Sequence, residues 1–154
     1  MHQESSMSGF KGESSHPLDS KGRFSLLLKH RKMLPEDFYI MRSPNKKFPS
    51  LWIISDEAHE AWKTRLYEDK GNVKENSESS AQIRRDINRG LMDVSVDSVG
   101  RILIPPTLRQ YASLDKTVTV IGVEDHIEIW NDEILAQNDA YYGSMDEGKI
   151  LDLP

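Results

Sequence analysis

Asp19-Ser20-Lys21-Gly22-Arg23 returns later in the chain as Asp97-Ser98-Val99-Gly100-Arg101, and each copy runs straight into an apolar stretch. Outward from these five residues the likeness continues. Residues 18–26 and 96–104 share one pattern: apolar, acidic, polar, any residue, Gly, Arg, then three mostly apolar positions. Arg31 and Arg109 fall at equal distances from their motifs, residues 38–41 answer to 118–121, and 53–57 answer to 129–133. An internal repeat of this extent makes the chain two copies of one small module.

The motif suits a strand-turn-strand device. An Asp side chain bonds downstream backbone amides, and Gly supplies the positive φ that a tight turn demands. The Arg four residues beyond each Asp folds back to meet its carboxylate. Asp19 with Gly22 and Asp97 with Gly100 are therefore the expected turn clamps. For Arg23 and Arg101 two readings stand at this point, clamp only or clamp and ligand contact.

The whole chain of 154 residues carries a net charge of −5, which conceals a gradient. Residues 1–50 hold nine Lys or Arg against five acids (+4), residues 51–96 seven against nine (−2), and residues 97–154 four against eleven (−7). Such asymmetry points to a basic binding face on the first copy. With no cysteine there is neither a disulfide framework nor a thiolate metal site. No apolar run reaches the length of a membrane span and no signal-peptide core opens the chain, so a soluble intracellular protein is expected.

Taken in order, residues 1–8 read as a disordered tail and 10–15 as a short edge strand with Lys11 outward. Residues 24–28 read as a buried strand leading into a short basic helix through Met33 that carries Lys29, His30, Arg31 and Lys32. Strands are expected at 38–42 and 51–54, followed by a helix to about Asp69 whose apolar stripe is Ala58, Trp62 and Leu66. Residues 71–80 read as a linker. The next helix is capped at Ser79, with Gln82 at capping-box spacing, and has Ile83, Ile87 and Leu91 on one face. After the second motif, Pro105 and Pro106 set up a short helix. Residues 116–121 alternate as a strand, 122–125 turn, 127–130 form a strand, Asn131 or Asp132 caps a last helix to about Tyr142, and 143–154 form an acidic loose tail. The domain reading is thus 9–70 for the first copy, 71–80 for the linker and 81–142 for a basic helix with the second copy.

No phosphate loop, nucleophile elbow or His-Glu-x-x-His signature is present, and the five histidines are scattered. An enzyme is disfavoured, with no catalytic residue, metal or cofactor expected; a small hydrolase built from dispersed Asp and His needs a cleft that the sequence does not advertise.

Residues 10–13 with 18–23, and 97–106 with 108–111, 114–116 and 127–130, resemble the MraZ family of bacterial transcriptional regulators over about residues 9–135. The resemblance implies an α+β fold of two tandem β-α-β AbrB-like modules forming a pseudo-two-fold swapped-hairpin barrel with flanking helices. It further implies a homo-oligomeric ring, working in the cytoplasm at the nucleoid. Such a ring binds double-stranded DNA at tandem repeats upstream of the division and cell-wall gene cluster that includes its own gene. Several weak faces on one ring gain avidity by raised effective concentration. Two departures stand out: Leu27 and Leu28 replace the Pro pair of the second copy, and the N-terminal extension through Ser8 is longer than the family leads one to expect.

The repeat sorts the candidates. Residues kept in both copies are what a structural clamp requires, whereas Lys21 faces Val99 and Lys29 faces Thr107. The expected DNA-binding residues are therefore Lys11, Lys21, Arg23 and Lys29, with Arg101 contributing less. Lysines are expected at phosphates and Arg23 at a base edge. The competing reading is an antitoxin-like interaction module whose acidic second half grips a basic protein.

Overall fold

A computed structural model describes residues 9–69 and 78–145. The described chain is a mixed α+β domain of eight strands and five helices: β1 Glu13–Pro17, β2 Arg23–Ser25, α1 Leu28–Arg31, β3 Phe38–Arg42, β4 Leu51–Ser55, α2 Asp56–Asp69, α3 Glu78–Arg89, β5 Met92–Asp93, β6 Arg101–Leu103, α4 Pro106–Tyr111, β7 Thr117–Val123, β8 His126–Trp130 and α5 Asp132–Gly143.

Six strands make one antiparallel sheet in the order β1-β7-β8-β4-β3-β5, and β2 and β6 make a separate two-stranded ribbon. The order is palindromic. Exchanging each strand for its counterpart in the other copy (β1 for β5, β3 for β7, β4 for β8) returns the same sheet. The registers obey the same exchange: Ile53 pairs with Ile127 and Leu51 with Ile129 across the centre, while Phe24 pairs with Ile102 at the middle of the ribbon. The pseudo-two-fold axis therefore runs between β4 and β8 and through the ribbon. Each copy's first strand pairs with the other copy's sheet, β1 with β7 and β5 with β3.

Strand alternation accounts for the core. Ile40, Leu51, Ile53, Val118, Val120, Ile127 and Ile129 project from one face of the sheet and meet Phe24, Leu26, Ile102 and Ile104 of the ribbon. Each of these is nearly or fully removed from water. At about 1.5–3 kcal/mol per large apolar side chain, this sandwich is the main favourable term in folding.

Several expectations need correction. The sheet does not close into the expected barrel: β2 and β6 pair with one another and lie over the sheet face, and β1 and β5 remain edge strands among the described residues. The first strand spans Glu13–Pro17; upstream of it the chain stays beside β7 through the Gly122 amide donating to the Gly12 carbonyl at 2.8 Å and a bridge between Phe10 and Glu124. Gly122 belongs to β7 and not to a turn, because a Cβ there would stand 2.3 Å from the Lys11 backbone nitrogen, so its bare backbone admits the incoming chain. α3 begins at Glu78, whose acid suits a first turn. Ser79 is thus inside the helix, and residues 78–80 of the expected linker are helical. In α2 the buried residue is His59, with Ala58, Trp62 and Leu66 only half-buried; the helix packs against the central strand β4, where Trp62 meets Trp52. Residues 1–8, 70–77 and 146–154 lie outside the described residues.

The proline departure has a plain structural answer. Leu27 holds φ −55° and ψ 140° before α1, and Pro105 holds φ −56° and ψ 145° before α4. Leucine reaches the backbone conformation that proline imposes, and the entry to the short helix is the same in both copies. Asn131 caps α5, its Oδ1 accepting from the Glu133 and Ile134 amides.

Candidate nucleic-acid interface

The two motifs form near-identical turns. Asp19 Oδ1 accepts from the amides of Lys21 at 3.0 Å and Arg23 at 2.8 Å, and Oδ2 accepts from Arg23 Nε at 2.8 Å. Asp97 repeats the set with Val99 at 3.0 Å, the Arg101 amide at 2.8 Å and Arg101 Nε at 2.9 Å. Each carboxyl is held below its ordinary pKa, chiefly by the hydrogen bond from the Arg amide against an opposing effect of burial. Gly22 and Gly100 sit at φ +88° and +87°, a region that side-chain-bearing residues avoid.

Closure comes from the other copy. A Cβ on Gly22 would lie 2.4 Å from Arg109 Nε, and one on Gly100 2.7 Å from Arg31 Cζ. Arg31 Nε in turn donates to the Leu26 carbonyl at 3.0 Å, and Arg109 Nε to that of Ile104 at 2.9 Å. The Leu26 amide donates to Gly100 and the Ile104 amide to Gly22, so the ribbon knits each turn to its counterpart. The shared arginines thus stand behind the turns.

The ribbon's alternation sets what faces outward. Phe24 and Ile102 point into the core, leaving Arg23 opposite Leu103 and Ser25 opposite Arg101 on the outer face. Arg23 and Arg101 spend Nε on their aspartates, and their Nη groups have no hydrogen-bond partner among the described residues. Lys21 is exposed at the tip of the first turn, where the second turn shows Val99, 64% exposed. Lys29 Nζ stands 3.2 Å from the Cβ position of Gly12, next in sequence to the exposed Lys11. The five sequence candidates therefore fall into two groups, Lys21, Arg23 and Arg101 on the ribbon and its first turn, and Lys11 with Lys29 around Gly12. Ser25 was missed by the sequence reading; the alternation of Arg23 and Ser25 with Phe24 and Leu26 is the signal that finds it.

Among the described residues there is no group of three or more His, Cys, Asp or Glu placed to hold a metal ion, and no helix is long and apolar enough to cross a membrane.

The halves of this duplicated α+β domain close one another's Asp-x-x-Gly-Arg turns, and the two-stranded ribbon between those turns has one face in the core and one face outward: a two-copy repeat module. In comparison with known proteins, residues 87–145 match the family of the MraZ protein, whose description includes the term antitoxin-like. The transcriptional regulator MraZ of Lachnoclostridium phytofermentans is 36% identical over 138 residues, covering 90% of this chain and 91% of that protein. Those of Leuconostoc mesenteroides subsp. mesenteroides and Leuconostoc citreum are each 34% identical over 124 residues, covering 80% of this chain and 82% of the relative. The chain belongs to the MraZ family.

Proposed function

We propose that this protein is a sequence-specific DNA-binding transcriptional regulator that reads double-stranded DNA with the β2–β6 ribbon. The observation that carries the reading is the outward ribbon face, where Arg23 and Arg101 keep their Nη groups unspent and Lys21 stands at the tip of the first turn. A two-stranded ribbon fits the width of a major groove, and an Arg fork pairs bidentately with guanine. Lys11, Lys21 and Lys29 supply phosphate contacts, which set affinity and its salt dependence. The net negative charge is no obstacle, because the acids concentrate after residue 96 and the ribbon's first turn belongs to the +4 segment.

In this proposal the protein assembles as a homo-oligomeric ring of AbrB-type modules, each protomer meeting one of several tandem repeats upstream of the division and cell-wall gene cluster that includes its own gene. It acts in the cytoplasm at the nucleoid and performs no catalysis. The test is fluorescence anisotropy with a duplex from upstream of its own gene against a scrambled duplex, at two salt concentrations. Tight, salt-sensitive binding to the upstream duplex alone is expected. Equal or absent binding to both overturns the reading. The acidic −7 segment after residue 96 favours a second reading, the antitoxin-like module, and co-purification of a stoichiometric basic protein would support it.

A further inference from the structure

The sheet face turned away from the ribbon holds a recess that DNA binding does not use. It straddles the pseudo-two-fold axis, where Trp52 pairs in register with Glu128, and it is flanked by α2 and α5. Its volume is about 550 Å³, within the ordinary range for small-molecule sites. Trp52, Trp62, Trp130 and Tyr142 supply aromatic surface, and Glu128 and Asn138 supply polar groups. Those three tryptophans are all that the chain contains.

The electrostatics are one-sided. Among the described residues Glu128 is the sole charged one lining the recess. Its Oε1 accepts from Trp130 Nε1 at 2.8 Å, and its Oε2 lies 3.5 Å from His126 Nε2. The Glu128 side chain keeps 22% of its exposure, and no Lys or Arg lines the recess among the described residues. Trp52 stacks on His126 at 3.8 Å and meets Trp62 edge to face at 5.8 Å, so the aromatic wall is braced before any ligand arrives.

The repeat again separates scaffold from function. The counterpart of Trp52 is Glu128 and that of Trp62 is Asn138, so one copy builds an indole wall and the other a polar wall across the same axis. Packing alone does not ask for this, since the fold accepts either residue type at equivalent places. Indole faces attract cations through their quadrupole, and a half-buried carboxylate rewards the ion that neutralises it. An anion is repelled there, and a neutral apolar guest strips water from the carboxylate without offsetting its charge, leaving it the single close donor Trp130 Nε1.

We propose that this recess binds an organic cation with a compact alkylammonium head, seated against Trp52 and Trp62 with Glu128 as counter-ion. The probe is tetramethylammonium chloride, titrated into the full chain at constant ionic strength against sodium chloride, with tryptophan fluorescence as readout. Because every tryptophan lines the recess, the signal has no other source. A saturable change is expected, and Glu128→Gln should raise the half-saturation concentration about tenfold, the loss of roughly 1.4 kcal/mol. Asn138→Lys, on an exposed helix, should abolish the response by placing a tethered ammonium in the recess, and it carries the test if Glu128→Gln fails to fold. A non-saturable response in the unaltered protein overturns the proposal. So does an equal response to the neutral isostere 3,3-dimethyl-1-butanol, or half-saturation unmoved in a folded variant.

Discussion

The two turns are held by the same bonds and differ in what they show to solvent. Asp19 and Asp97 make matching contacts to within 0.1 Å, and each glycine is backed by the other copy's arginine. Yet the first tip presents Lys21 and the second Val99, the first ribbon strand Ser25 and the second Leu103, and the first short helix Lys29 where the second has Thr107. What both copies keep answers to folding. What only one keeps is open to another use, and two of these three first-copy positions, Lys21 and Lys29, carry basic charge.

The sharpest way to break that comparison is to alter the shared part. Gly22→Ala forces a side chain into a left-handed backbone and against Arg109; Gly100→Ala does the same against Arg31. Left-handed strain costs about 1–2 kcal/mol and the lost arginine hydrogen bond about 1 more. Each variant should lose roughly 2–3 kcal/mol in urea unfolding, and the two losses should agree. A tolerant Gly100→Ala beside a crippled Gly22→Ala would show that the interlock is not reciprocal.

Arg23→Ala and Arg101→Ala probe the seam between the shared and the unshared. Both arginines clamp an exposed aspartate, so both variants should stay folded. Arg23→Ala should weaken binding to the upstream duplex by about 1–3 kcal/mol in anisotropy. Arg101→Ala should cost less, because its turn lacks the neighbouring lysine. Equal losses would mean that the pseudo-axis of the ribbon coincides with a two-fold of the DNA site.

How far the sequence carried this picture depends on the range of the interaction. Local signals were legible: β3 at Phe38–Arg42, α2 reaching Asp69, the Pro-led α4 and the Asn131 cap all follow from propensity, turn chemistry or capping within a few residues. The repeat made the two-fold legible as well. Which strands meet was not, since β1 pairing with β7 joins residues about a hundred positions apart and nothing local encodes it. For the same reason Arg31 and Arg109 were recognised as shared, but their crossing to the opposite glycine was invisible. The swapped-hairpin barrel came from family likeness; among the described residues the ribbon pairs apart from the sheet and no closed barrel is found. The tryptophan recess gathers positions 52, 62 and 130, and no single window holds them.

A buried difference sharpens the comparison at lower magnitude. His30, 1% exposed, stands where the second copy has Leu108, and its Nδ1 has no hydrogen-bond partner among the described residues. Burial first, then Lys29 and His16, hold its pKa below the ordinary 6.5. A histidine with a lowered folded pKa stabilises fully above its unfolded value and loses that contribution as pH falls through the folded one. Stability should therefore decline below about pH 6.5. His30→Leu, copying the second repeat, should gain about 1 kcal/mol at neutral pH by removing an unpaired buried nitrogen. It should also flatten the acid limb in part, with His16 and His59 still titrating. An unchanged acid limb would assign the decline to those two residues alone.

The smallest effect isolates charge from structure. Lys21→Val writes the second tip onto the first, at an exposed position whose side chain the clamp does not use, since only its amide meets Asp19. Stability should be unmoved. If Lys21 neutralises one phosphate, the slope of log affinity against log salt should fall by about 0.9, while the preference for upstream over scrambled duplex persists. A lost preference with an unchanged slope would make Lys21 a base reader. An unchanged slope and preference would move the phosphate contacts to Lys11 and Lys29 and leave the two tips equivalent, so that the charge difference between the copies would then act away from the ribbon.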